Sequence, residues 1–191
     1  ILGAMNQPNN KQLQRINVVG SSGSGKSTFS RKLSTILSVT HIEIDAIFWQ
    51  PNWQEPEEDI FCTKLSAEIS PLSNWVLDGN YTRTIPIKWK NVQVVIWLDY
   101  SFIRTVFQAI KRAVTRAFSQ EELWAGTGNK ETWRSFFSKD SIVLYTIKTH
   151  SKVRRKYDLL MLDKSYSHIE FVRFRSPKES EQFLNLIKEL P

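Results

Sequence analysis

Gly20-Ser21-Ser22-Gly23-Ser24-Gly25-Lys26-Ser27 decides how the rest of this chain reads. The eight residues satisfy G-x-x-x-x-G-K-[ST] in full. Their flanks have the character that the motif requires. Arg15 to Val19 reads as a short strand running toward the first glycine. Lys26 to about Leu37 reads as a helix, with Phe29, Leu33, Ile36 and Leu37 at helical spacing. Glycines let backbone N–H groups converge on phosphate oxygens where a Cβ would crowd the turn. The helix N-terminus adds a partial positive charge. Gly20, Ser21, Gly23, Ser24 and Gly25 are therefore expected to cradle phosphates. Lys26 is expected to reach the β- and γ-phosphates, and Ser27 to offer its hydroxyl to Mg²⁺. Thr28 reads as a helix residue near the α-phosphate.

Beyond this turn, strand and helix alternate. His41 to Ile44, Asn74 to Leu77, Val92 to Leu98 and His168 to Phe174 read as further strands. Val92 to Leu98 is apolar almost throughout, as a strand covered on both faces should be. Helices are expected over Glu55 to Ile69, Phe102 to about Ala117, two or three between Glu131 and Asp163, and Pro177 to Leu190. The second of these carries the apolar stripe Ile103, Val106, Phe107, Ile110, Val114. Trp133, Phe136 and Phe137 fall at core spacing, and His150 reads as a surface helix residue. The alternation predicts an α/β fold with a mostly parallel sheet.

The chain has 191 residues, 41% hydrophobic and 24% charged, which suits one domain. Residues 1–14 read as a flexible polar arm without the apolar core of a secretory signal, and 15–191 as one domain. The longest apolar runs are about five residues, far short of the ~20 that span a bilayer, so no membrane partner is expected. One cysteine, Cys62, excludes a disulfide framework and a zinc ribbon, and a reducing, cytoplasmic setting fits best. The net charge is +7. Between Arg104 and Lys156 twelve basic residues face four acidic ones, a net +8, and the remainder sums to −1. One basic stretch on a near-neutral body predicts an anionic partner.

A GTPase would need N-K-x-D, and Asn129-Lys130-Glu131-Thr132 lacks the aspartate. Small-molecule kinases lead the remaining classes. Trp75-Val76-Leu77-Asp78-Gly79-Asn80-Tyr81-Thr82-Arg83-Thr84 resembles the adenylate kinase segment in which a strand ends in Asp-Gly and an arginine follows. Arg112 and Arg116, spaced R-x-x-x-R, resemble the lid arginines of nucleoside monophosphate kinases. Asp45 to Trp53, Asp78-Gly79-Asn80-Tyr81 and Val95-Ile96-Trp97-Leu98-Asp99 resemble the adenylate-kinase-related DNA topology modulation proteins. This likeness to the P-loop nucleoside/nucleotide kinase superfamily runs from Val18 to about Leu184. It implies a three-layer P-loop NTPase fold with a five-stranded parallel sheet in the order 2-3-1-4-5. A helical lid over about 112–156 completes it.

Candidate roles follow from that frame. Asp45, ending the second strand, is placed to accept an attacking hydroxyl's proton, or else it is a turn or cap residue. Trp49 and Trp53, with Phe48, would stack on a base or wall an apolar pocket, or else cover the core. Asp78 would hold Mg²⁺ or its water, with Asp99 the competing carboxylate and otherwise a helix cap. Gly79 would let the chain pass close to the phosphates, and Tyr81 and Arg83 would border the acceptor. Arg83, Lys88 and Lys90 would otherwise form a solvated surface. Arg116 would neutralise the transferring phosphoryl and Arg112 would stack on the adenine. Arg154 or Arg155 is a second lid candidate, and the Arg175-Ser176-Pro177 backbone would border the base. The expected activity is phosphoryl transfer from Mg-ATP to a nucleoside, nucleotide or other small hydroxylated acceptor. The rival is a nucleic-acid-associated P-loop ATPase that uses the basic 104–156 stretch, for which no nucleic-acid-binding motif is present.

Overall fold

The computed structural model describes residues 13–138 and 141–189. The expected N-terminal arm lies outside them except for Leu13 and Gln14, and these two are anchored. Leu13 is buried, and the Gln14 carbonyl accepts from the Trp75 N–H at 2.7 Å.

Five strands form one parallel sheet in the order β2-β3-β1-β4-β5. They are β1 (Arg15–Gly20), β2 (Thr40–Glu43), β3 (Trp75–Asp78), β4 (Val94–Leu98) and β5 (Glu170–Phe174). This is the expected order. β1 is central, with Val18 in register with Asp78 on one side and Ile96 on the other. The phosphate turn and the Asp78 turn therefore leave adjacent strands at the same edge, where open α/β sheets bind ligands.

Strand residues alternate between two apolar layers, as period-two geometry demands. Ile16, Val18, Val94, Ile96 and Leu98 pack with Phe29 and Leu33 of α1 (Lys26–Leu37) and with Phe183, Leu184 and Ile187 of α8 (Pro177–Lys188). Val95 and Trp97 face the other way. They pack with α3 (Glu58–Ile69), α4 (Ile85–Lys88) and its neighbour Trp89, and α7 (Ile142–Leu160). Each large side chain buried this way contributes about 1.5–3 kcal/mol. No described helix is long and apolar enough to cross a membrane.

Three elements differ from the sequence expectation. Asp45 is not a strand end, because β2 stops at Glu43 and Asp45 lies in the short helix α2 (Ile44–Phe48). In α5 (Phe102–Ser119) the apolar stripe points outward: Ile103 is 81% exposed and Phe107 66%. The inward face is Thr105, Ala109, Ala113 and Ala117. The cause is close approach to the phosphate turn. A Cβ on Gly23 would stand 2.7 Å from the Thr105 carbonyl oxygen and 2.9 Å from Ala109 Cβ, so only small residues fit between. Trp133 and Phe137, in and just after α6 (Trp133–Phe136), are also exposed rather than core, α6 being a single turn.

Candidate active site

Lys26 begins α1 with its ammonium curled back, donating to the Ser21 carbonyl at 3.1 Å. Burial lowers its pKa, and the fields of Asp78 and Asp45 oppose that shift while Arg112 adds to it. Asp78 is buried at the end of β3, and burial lifts its pKa to about 6. Lys26 and a hydrogen bond with the Ser27 side chain hold that rise in check. Asp78 Oδ1 has no hydrogen-bond partner among the described residues, and neither do two other buried atoms close by, Ser24 Oγ and Arg112 Nε. Buried polar groups are seldom left unmade, and each costs about 1–3 kcal/mol when they are. The Asp78 and Ser27 oxygens form the hard donor set that suits Mg²⁺.

Arg112 crosses from α5 to donate to Ser22 Oγ at 3.2 Å. Arg116, one turn further on, donates to Glu131 at 3.0 Å. Of the two, Arg112 is the arginine that touches the phosphate turn. Arg154 and Arg155 do not join them. Arg154 pairs with Asp99 at 2.8 Å, and Arg155 is exposed. Asp99 does not cap α5, whose N-cap is Ser101; Arg154 takes one of its oxygens and Arg173 the other, and Arg173 also reaches Asp158 at 2.8 Å. Arg175-Ser176-Pro177 is the N-terminus of α8, where Ser176 and Glu179 cap one another.

Asn80, to which the sequence reading gave no role, is tied into the phosphate turn. Its side chain accepts from the Gly20 N–H at 3.0 Å and donates to the Gly20 carbonyl at 2.7 Å, clamping the first residue of the phosphate turn. Tyr157 of α7 donates to the same amide oxygen. Lys88, expected on a solvated surface, is fully buried beneath this turn and donates to the Gly79 and Asn80 carbonyls at 3.2 and 2.6 Å. Its burial drives its pKa well down. Asn17 completes the support, donating to the Leu77 and Gly79 carbonyls and accepting from the Trp89 indole. Packing requires Gly79, because a Cβ there would meet Ile44 Cβ at 2.9 Å. The one signal in the sequence was Asp-Gly-Asn itself, a turn string followed by an out-of-place lysine. His150 is likewise buried, bonded to the Tyr100 carbonyl at 3.1 Å.

The side of the site expected to border an acceptor is aromatic. Tyr81 donates to Asp45 Oδ1 at 2.7 Å, and its ring packs on Phe48 and Phe61. Arg83 lies over both of those phenyl rings and within 4.0 Å of Glu55. Trp49 and Trp53 meet Trp124, which lies between α5 and α6. Asn129 of the same segment ties the same loop, accepting from the Trp53 N–H at 3.0 Å and donating to the Gln50 carbonyl at 2.9 Å. Asn52 and Trp53 are both left-handed, at φ 59 and 58. That conformation costs a bulky residue about 1–3 kcal/mol, and the Trp124 and Asn129 contacts hold it in place. A groove of about 790 Å³ between α1 and α8 includes Thr28 but no residue of the Gly20–Ser27 motif, and lies behind the cradle, not over it.

Solved structures share this architecture. Shikimate kinase from Acinetobacter baumannii in complex with shikimate is 15% identical, with a TM-score of 0.55 over 94% of this chain and 97% of its own. The chain has the P-loop kinase fold. A gluconokinase from Sinorhizobium meliloti 1021 shares that fold at 12% identity and a TM-score of 0.51, over 92% of this chain and 89% of its own. No protein-family model matches the chain, and no curated protein matches it. The narrower likeness to DNA topology modulation proteins finds no support in these comparisons. Within the P-loop kinase fold, Lys26, Ser27, Asp78 and Arg112 converge at the phosphate turn, and Asp45 faces the same charges from α2.

Proposed function

We propose that this chain is an ATP-dependent phosphotransferase acting on a small hydroxylated acceptor, a nucleoside or nucleotide among the candidates. The observation that carries the reading is the set of three unpartnered buried groups, Ser24 Oγ, Asp78 Oδ1 and Arg112 Nε, around a cradle that closes on phosphate oxygens. The P-loop kinase fold supports it.

In this reading Gly20 to Thr28 hold the triphosphate, with Lys26 turning from the Ser21 carbonyl to the β- and γ-oxygens. Asp78 and Ser27 would hold Mg²⁺, whose chemistry is to neutralise charge on the phosphates. Arg112 balances charge on the equatorial oxygens, a role worth on the order of a thousandfold in rate. Tyr81 fixes one oxygen of Asp45 and leaves the other to receive the acceptor's hydroxyl proton. Trp49, Trp53 and Trp124 close over the acceptor and exclude water, which suppresses idle hydrolysis. A reducing cytoplasmic setting belongs to the same reading and suits the lone Cys62.

The test is ADP formation from Mg-ATP across a panel of nucleosides, nucleoside monophosphates and small hydroxy acids. Wild type is expected to turn over only with an acceptor, and Lys26→Ala to lose turnover while keeping its fold. Unchanged turnover in Lys26→Ala would remove the phosphate turn from the mechanism.

A further inference from the structure

The outer face of α5 has no role in the phosphate site, and among the described residues it is largely uncovered, Trp133 touching only its Phe118 end. Ile103, Phe107 and Phe118 are 81%, 66% and 71% exposed, and Ile110 lies between them at 37%. Monomers seldom expose a continuous apolar stripe of this length, about 22 Å from Ile103 to Phe118. We infer that α5 is the contact helix of a homodimer, its stripe packed antiparallel on the same stripe of a second copy.

Two features of the stripe select this occupant. The first is its spacing. Ile103, Phe107, Ile110, Val114 and Phe118 read nearly the same from either end. A two-fold axis between Ile110 and Lys111 sets Ile103 against Phe118 and Phe107 against Val114, as an isologous interface requires. The second is charge. Arg104 stands in the first turn, and Glu121 and Glu122 follow the last. An antiparallel pair brings the basic end of each copy to the acidic end of the other, whereas a parallel pair opposes like charges. Neither Arg104 nor Glu121 forms an ion pair with a described residue. The basic excess of this region does not fall on the stripe, because Arg112 and Arg116 turn inward to Ser22 and Glu131. Two basic residues, Arg104 and Lys111, then stand against two acidic ones along the stripe. That balance suits a second copy better than an anionic membrane. Phe102 and Trp133, at 44% and 40% exposed, widen the apolar area toward what a stable interface needs. The consequence is that each copy would brace the helix whose opposite face presents Arg112.

Sedimentation velocity on the full chain from about 1 to 100 µM tests this. The expected species is twice the 22.3 kDa chain mass. Phe107→Glu is expected to raise the dissociation constant by at least ~100-fold with unchanged circular dichroism, since it buries an unpaired charge on each side. Arg104→Glu and Glu121→Arg are each expected to weaken self-association, and an equimolar mixture of the two chains to restore it. A monomer at every concentration, or a dimer indifferent to Phe107→Glu, would overturn the inference. A monomer that sediments with anionic but not neutral vesicles would overturn it too and assign the face to membrane.

Discussion

Replacing Asp78 by Asn should change how stability depends on pH. Burial raises the Asp78 pKa from 3.8 to about 6, so the folded state holds this proton more tightly than the unfolded chain does. A raised folded value means that the stabilising contribution is complete below the unfolded pKa and is lost as pH climbs through about 6. A shift of about two units corresponds to about 3 kcal/mol at 1.36 kcal/mol per unit. About 2 kcal/mol of that remains to be lost between roughly pH 4.5 and 7.5. For a chain of this size it equals a Tm change of about 4–8 °C. The assay is thermal unfolding of both proteins, without nucleotide or divalent cation, across that range. The quantity read is the wild-type Tm minus the Asp78→Asn Tm, which removes the titration of every other group. It should fall as pH rises. Saturating Mg-ATP should abolish the fall if Asp78 takes the cation, because a cation there favours the ionised carboxylate. A difference that stays flat without ligand would refute the burial argument, and with it the orphaned Asp78 oxygen as the mark of the site.

Two further outcomes follow from contacts absent from the motif. Asn80→Ala should unpair both backbone groups of Gly20, costing about 2–4 kcal/mol in chemical denaturation and raising the KM for ATP more than that for the acceptor. Equal effects on both would make Asn80 a general structural residue. Trp124→Ala should do the converse, raising the acceptor's KM while ATP affinity holds. In the wild type, acceptor binding should shift tryptophan emission, because three indoles meet at 5.5 to 6.4 Å.

What the sequence made legible was what is local. The phosphate turn is contiguous, and its strand and helix announce themselves by composition. Sheet order followed from the resemblance that the motif opened. Periodicity found the α5 stripe but could not say which way it faces, because that depends on how closely α5 approaches Gly23. Asp99 looked like a cap or a metal carboxylate because Arg154 and Arg173 lie 55 and 74 residues away. Lys88 and Asn80 were hidden for the same reason: a lysine and an asparagine look solvent-bound until the turn above one and the glycine beside the other are in place. The grip of Trp124 and Asn129 on the Trp53 loop spans 76 and 79 residues at its hydrogen bonds and leaves no local pattern.

The destination of the γ-phosphoryl group tests the central claim most directly. With γ-labelled ATP and the acceptor panel, the account predicts that wild type places the label on an acceptor hydroxyl and that Asp45→Asn slows this step far more than it weakens ATP binding. Label appearing only in inorganic phosphate, at the same rate with and without every acceptor, would contradict it.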